Sequence, residues 1–204
     1  MIQKGLLIVL SGPSGAGKGT VCKALLPSMP TTHYSVSCTT RQPREGEVEG
    51  VNYFFKTVEE FKEMVSNDEL LEYAEVYTNY YGTPRKYVED TLEAGENVVL
   101  EIDIQGALQV KKQFPHGVFI FLIPPSLSEL KSRIIGRGSE TEESFNRRFG
   151  AAAEEMSYIS EYDYVVVNDE VANACEKIRA IIITERCSVK RNLDYYNDLI
   201  KGGQ

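Results

Sequence analysis

The heptapeptide Gly12-Pro13-Ser14-Gly15-Ala16-Gly17-Lys18 constrains this chain more than any other feature. It follows the apolar run Leu6 to Leu10, which Ser11-Gly12 closes. A short continuous apolar run of that kind suits a strand buried on both faces, as in a parallel sheet. Glycines let the backbone curl so that successive N–H groups point inward at phosphate oxygens. A helix starting near Lys18 adds its positive N-terminal end, and the Lys18 side chain reaches for β- and γ-phosphates. The stretch Gly12, Pro13, Ser14, Gly15, Ala16, Gly17, Lys18, Gly19 and Thr20 is therefore the expected nucleotide phosphate site. One position departs from the pattern. Ser or Thr is expected directly after the lysine as a Mg2+ ligand, but Gly19 stands there and Thr20 comes one place later. Phosphates and water then become the main holders of the metal, with Thr20 a helper.

Three further apolar runs follow: Val98 to Leu100 continuing to Ile104, Val118 to Ile123, and Tyr164 to Val167. Helical patterns separate them, and strands alternating with helices imply a parallel sheet with right-handed crossovers. A chain of 204 residues suffices for one domain with a sizeable core. No apolar run is long enough to span a bilayer, and the N-terminal apolar stretch lacks the features of a signal peptide. The formal charge of −8 argues against nucleic acid as a partner, while leaving room for small anions held by local Lys and Arg. Cys22, Cys38, Cys175 and Cys187 show no paired metal-ligand spacing, which suits reduced thiols in a cytoplasmic protein.

Two stretches break the rhythm. Residues 36–88 carry short alternating strands and one helix over Val58 to Val65, which suggests a small mixed insertion. Gly136-Arg137-Gly138 interrupts a helical pattern and reads as a hinge or lid covering 136–149. Beyond it Phe145, Phe149, Ala152, Met156 and Ile159 recur at helical spacing, behind a capping box at Ser139 to Glu142. The expected organisation is one α/β domain: a three-layer phosphate-loop core over 1–35, 89–135 and 150–204, the insertion, and the lid.

Within this frame Ser37-Cys38-Thr39-Thr40-Arg41-Gln42-Pro43-Arg44-Glu45-Gly46-Glu47 is followed by Tyr53. Leu71-Glu72-Tyr73-Ala74, Asn79-Tyr80-Tyr81-Gly82-Thr83, Glu101-Ile102-Asp103-Ile104-Gln105-Gly106 and Gly136 to Ser144 come next. In that order these blocks resemble the guanylate kinase family over nearly the whole chain. The resemblance implies ATP and GMP as substrates, with Arg41 and Arg44 clamping the GMP phosphate through forked donors. Tyr53 and Tyr81 add hydroxyl donors. Glu72 accepts from guanine N1–H and the N2 amine, a pair adenine lacks, and Ser37 and Thr83 donate to guanine O6. Asp103 faces the gap between the nucleotides, touching GMP or metal-bound water. Glu101 and Asp103 are placed at a strand end, pointing the same way across the pleat.

By the same resemblance Arg133, Arg137 and Arg148 close over the ATP phosphates, Arg147 is a variable basic position, and Asn168 lines the adenine pocket. The acceptor is already an anionic phosphate oxygen, so no dedicated general base is expected, and Lys18, Mg2+ and the arginines neutralise the moving charge. Two other readings stay open: a guanylate-kinase-like module that binds protein partners without catalysis, and a kinase for another nucleoside monophosphate. The latter is suggested by Gly19-Thr20, since Gly-Lys-Gly-Thr is also what adenylate kinases look like.

Overall fold

The computed structural model describes residues 3–76, 78–135, 150, 152 and 154–202. Five strands form a wholly parallel sheet: β1 (Leu7–Ser11), β2 (Thr32–Tyr34), β7 (Asn97–Glu101), β8 (Val118–Ile123) and β9 (Tyr164–Val167), in the order β2-β7-β1-β8-β9. β1 is central and buried at every residue. Its alternate side chains feed two cores. Leu6, Ile8 and Leu10 pack with Val21, Cys22 and Leu25 of α1 (Lys18–Leu25) and Ala174, Ile178 and Ile182 of α6 (Val171–Arg186). Leu7 and Val9 pack on the other face with Val88 of α3 (Arg85–Glu93) and Ala107 and Val110 of α4 (Ile104–Gln113). Helices on both faces explain why these strands read as unbroken apolar runs.

The edge strand β2, which among the described residues pairs with β7 alone, reads Thr-His-Tyr with His33 and Tyr34 half-buried, so its apolar signal is too weak to stand out in the sequence. The run expected to continue to Ile104 ends at Glu101. Asp103 (φ −75°, ψ 178°) caps α4 by accepting from Gly106 N–H at 2.8 Å, and Ile104 is the first residue of that helix. The shared pleat expected for Glu101 and Asp103 is therefore not how they are placed.

Between β2 and α3 lies a second, mixed sheet in the order β4-β3-β6-β5, built from β3 (Cys38–Thr39), β4 (Phe54–Phe55), β5 (Leu70–Val76) and β6 (Asn79–Pro84). Its helix α2 (Val58–Ser66) opens with a capping box between Thr57 and Glu60, and buries Phe61 against Cys38 and Leu70. The end expected for this insertion, residue 88, falls inside α3, whose Val88 packs in the main core.

The chain continues through α5 (Leu127–Ile135), a 3-10 helix (Met156–Glu161), and a final helix α7 (Val189–Lys201) behind α6. Residues 136–149, with the expected capping box, Phe145 and Phe149, lie outside the described residues. Of the remaining helical pattern, Ala152 is buried, while Met156 and Ile159 sit in the 3-10 helix. No described helix is long and apolar enough to cross a membrane.

Candidate functional site

The loop after β1 takes its shape from glycine. Gly17, immediately before α1, has φ 91°, and a β-carbon there would also stand 2.5 Å from Asn168 Nδ2. Gly12 has φ +145° and presses against the Leu122 carbonyl oxygen. Among the described residues no side chain caps α1, and its first N–H groups face the loop. Lys18 Nζ folds back and donates to the carbonyls of Gly12 (2.6 Å) and Pro13 (3.3 Å).

A cleft of ≈ 380 Å³ opens along Ser14, Gly15, Gly17, Lys18, Gly19, Thr20, Lys23 and Glu101. Gly12, Pro13 and Ala16 are buried beneath it and line none of its wall. They set the path of the backbone instead. Lys23, one turn beyond Gly19 on α1, was not singled out by sequence; a lysine inside a helical run carries no distinguishing signal there.

Asn168 follows β9 and is 3% exposed. Its side-chain amide nitrogen donates to the Ala16 carbonyl at 2.8 Å, and its backbone carbonyl accepts from Arg133 Nη2 at 3.1 Å. Arg133 is also held by Glu129 at 2.9 Å. Arg133 and Asn168 thus flank the loop from the side of β9. Arg137, Arg147 and Arg148 lie outside the described residues.

A second cleft of ≈ 230 Å³ lies between the sheets, lined by Lys18, Ser37, Tyr53, Glu72, Ala74, Val76, Tyr81, Gly82, Glu101, Ile102 and Asp103. Seven residues singled out from sequence meet here: Lys18, Ser37, Tyr53, Glu72, Tyr81, Glu101 and Asp103. Lys18 and Glu101 line both clefts, so the two spaces meet at the tip of β7 and the start of α1.

Glu72 sits on β5 with 5% of its surface exposed. Burial raises its pKa from 4.5 to about 7; nearby Asp103 adds to the rise, and the hydrogen bond from Thr83 opposes it. That bond runs from Thr83 Oγ1 to Glu72 Oε1 at 2.6 Å. The Thr83 hydroxyl has one proton to give and gives it to Glu72, so its expected donation to guanine O6 does not hold in this arrangement. Thr83 is 1% exposed and stands behind the carboxylate, outside the cleft wall.

The arginines also differ from expectation. Arg41 Nη2 donates to both carboxylate oxygens of Glu47 (2.8 and 3.0 Å), with the guanidinium carbon 5.4 Å from the Tyr53 ring centre. Glu47 also accepts from Arg44 N–H at 2.8 Å. The hydrogen bonds with Glu47 raise the Arg41 pKa. Neither Arg41 nor exposed Arg44 is part of the cleft wall. For Arg41 the reason is electrostatic: Glu47, six residues along the same loop, supplies the oxygens that a phosphate would bring.

Glu101 occupies the space left by the missing loop hydroxyl. Its carboxylate oxygens lie 3.2 and 3.4 Å from where a β-carbon on Gly19 would stand. Tyr34 OH donates to it at 3.2 Å, and burial with the adjacent carboxylate drives the Tyr34 pKa far up. Glu155 also reaches this region, accepting from Ser14 N–H at 3.2 Å. No sequence pattern pointed to it, because the contact spans 141 positions.

A sequence profile of the guanylate kinase family matches residues 4–185. A guanylate kinase from Caldanaerobacter subterraneus subsp. tengcongensis is 61% identical over 194 residues, covering 95% of this chain and 94% of that protein. One from Clostridium acetobutylicum is 59% identical over 202 residues, covering 99% and 96%. The crystal structure of guanylate kinase from Anaplasma phagocytophilum superposes with a TM-score of 0.78 at 37% identity, covering 93% of this chain and 90% of that one.

Proposed function

Because the chain belongs to the guanylate kinase family of ATP:GMP phosphotransferases, we propose that ATP lies along the phosphate loop and GMP fills the cleft between the sheets. The observation that carries this placement is the position of Lys18 and Glu101 in the walls of both clefts. An oxygen of the GMP phosphate attacks the γ-phosphorus, the bond to the β–γ bridging oxygen breaks, and ADP and GDP result. Loop amides, the start of α1 and the Lys18 ammonium hold the donor phosphates and neutralise charge on the moving group. No general base is required, since the attacking oxygen is already anionic.

Glu72 selects the base. Guanine offers N1–H and the N2 amine to one carboxylate. Adenine has a lone pair at N1 and no amine at C2, so AMP would leave a buried carboxylate unpaired, a costly arrangement. Thr83 favours the ionised form of Glu72 and fixes its direction. Ser37, Tyr53 and Tyr81 complete the GMP site. Arg41 and Arg44 hold its phosphate once Glu47 shares or yields Nη2 of Arg41. Arg133, Arg137 and Arg148 act on the donor phosphates, and Asn168 supports the donor side.

Mg2+ accompanies ATP and screens its phosphate charge. The described residues include no group of three or more metal-ligand side chains. The donor set still fits a metal carried mainly by phosphates and water: Glu101 at the Gly19 slot, Asp103 through water, and Thr20, whose exposed side chain lines the donor cleft. All four thiols are free, which supports placement in the reducing cytoplasm, and the acidic charge supports small-molecule substrates rather than nucleic acid.

The test is a coupled assay of ADP formation from ATP and Mg2+ with GMP, AMP, CMP or UMP. Turnover is expected with GMP, and AMP is expected to be at least about a hundredfold worse in kcat/KM. A preference for AMP would remove Glu72 from base selection, and no turnover with any acceptor would favour a binding module.

A further inference from the structure

Transfer chemistry does not account for Glu155. Its Oε2 accepts the Ser14 N–H at 3.2 Å, and its half-buried carboxylate feels Lys18 as an attraction and Asp103 as a repulsion. Lys18 Nζ lies against the Gly12 and Pro13 carbonyls, directly before Ser14. A loop lysine of this kind reaches the β- and γ-phosphates, so the Gly12–Ser14 arm is the end of the cradle where the terminal phosphate comes to rest. A carboxylate oxygen on a loop N–H at that end makes the bond a phosphate oxygen would make. Burial pushes the Glu155 pKa up and its bond to Ser14 pulls it down.

We propose that Glu155 is a specificity-determining residue for the donor nucleotide: its carboxylate occupies the γ-phosphate end of the loop when ADP or no nucleotide is bound, and the γ-phosphate of ATP displaces it. ADP leaves that end empty and is compatible with the Glu155–Ser14 bond. ATP must replace one anion by another, so Glu155 weakens ATP relative to ADP. After transfer the terminal phosphate has left the loop and the carboxylate returns to Ser14. This proposal rests on the reading of the loop as the ATP site.

The test is calorimetric titration of wild type, Glu155→Gln and Glu155→Ala with Mg-ATP and with Mg-ADP, without acceptor. The Gln side chain keeps an oxygen that can accept from Ser14 but loses the charge. The expected result is an ATP affinity raised about fivefold or more over wild type, with ADP affinity changed far less. The readout is the ATP/ADP ratio within one preparation, so a partly unfolded fraction cancels. An unchanged ratio, or equal weakening of both nucleotides, would make Glu155 a brace of the loop and overturn the proposal. Lys18→Met, titrated in parallel, separates the two readings. Lost ATP affinity in that variant upholds the loop as the donor site whatever Glu155 does, whereas full ATP affinity removes the loop reading and this proposal with it.

Discussion

Gly106 and Glu72 fit together with no room to spare: a β-carbon on Gly106 would stand 2.5 Å from Glu72 Oε2. The glycine lies in the first turn of α4, and its N–H is already given to the capping Asp103. Glu72 is therefore wedged between Thr83 on Oε1 and the α4 backbone beside Oε2. Gly106 belongs to the Glu101 to Gly106 block that the resemblance singles out, but only the packing explains why no side chain is allowed.

Gly106→Ala should accordingly damage GMP recognition rather than folding. Alanine is the better helix former by about 1 kcal/mol, so α4 itself gains. The methyl group must push Glu72 off its hydrogen-bonded rotamer, and a weakened charged hydrogen bond of about 1.5 kcal/mol corresponds to roughly a tenfold rise in the KM for GMP. Steady-state kinetics with each substrate varied in turn would show this, with the KM for ATP unchanged. An unaltered KM for GMP would mean that Glu72 does not contact the base.

GMP affinity should depend on pH through Glu72. With a pKa near 7 in the nucleotide-free protein, the carboxyl is half protonated at neutrality. Guanine donors need the ionised form, so binding releases protons, and affinity falls as pH drops through 7. The GMP phosphate titrates near 6, so wild type must be compared with Glu72→Gln, and only the difference belongs to this residue. Thr83→Val removes a donor that favours the ionised form; it should move the midpoint of that difference upward, and Thr83→Ser should restore it.

The same group sets a stability trend of definite sign. Its folded pKa lies above the unfolded value of 4.5, so the folded state holds the extra proton between these limits. Nucleotide-free protein should lose stability as pH rises from about 4.5 to 7, by roughly 2–3 kcal/mol if the whole shift is expressed. Thermal melts should show Glu72→Gln more stable than wild type at pH 8 and no more stable at pH 4.5. Parallel melting curves at both pH values would contradict the raised pKa.

Asn168→Ala should separate the two substrates. It removes a buried 2.8 Å bond that holds the Ala16 carbonyl beneath the loop. Leaving that carbonyl unpaired costs about 1–3 kcal/mol, or a few degrees in melting temperature for a chain of this size. In the proposed placement the loop cradles ATP alone, so the KM for ATP should rise while the KM for GMP holds. Equal changes in both would point to general loosening instead.

Much of the fold is legible from residue order. The apolar runs Val118 to Ile123 and Tyr164 to Val167 correspond to β8 and β9 residue for residue; β8 is covered on both faces and carries no polar interruption, whereas β9 is an edge strand that is legible only because its four residues are all apolar or aromatic. β2 escaped notice because an edge strand of three half-polar residues lacks that signature. The extension of β7 to Ile104 failed for a local reason: Ile104 is apolar enough to continue a strand, but Asp103 is a better helix cap than strand residue.

What the sequence alone determined is the part of the site that local chemistry dictates. A glycine loop between strand and helix must curl its amides around an anion, and the family blocks name the side chains gathered at the second cleft. What tertiary structure decided is how those groups are occupied. Arg41 is taken by Glu47, Thr83 by Glu72, Ala16 by Asn168, and Ser14 by Glu155. Hydrogen bonds saturate: each proton serves one acceptor at a time, and which acceptor arrives depends on distances that folding sets. In the Ser14 and Ala16 pairs, chain segments more than a hundred positions apart converge on one loop, and no spacing in the sequence records that meeting.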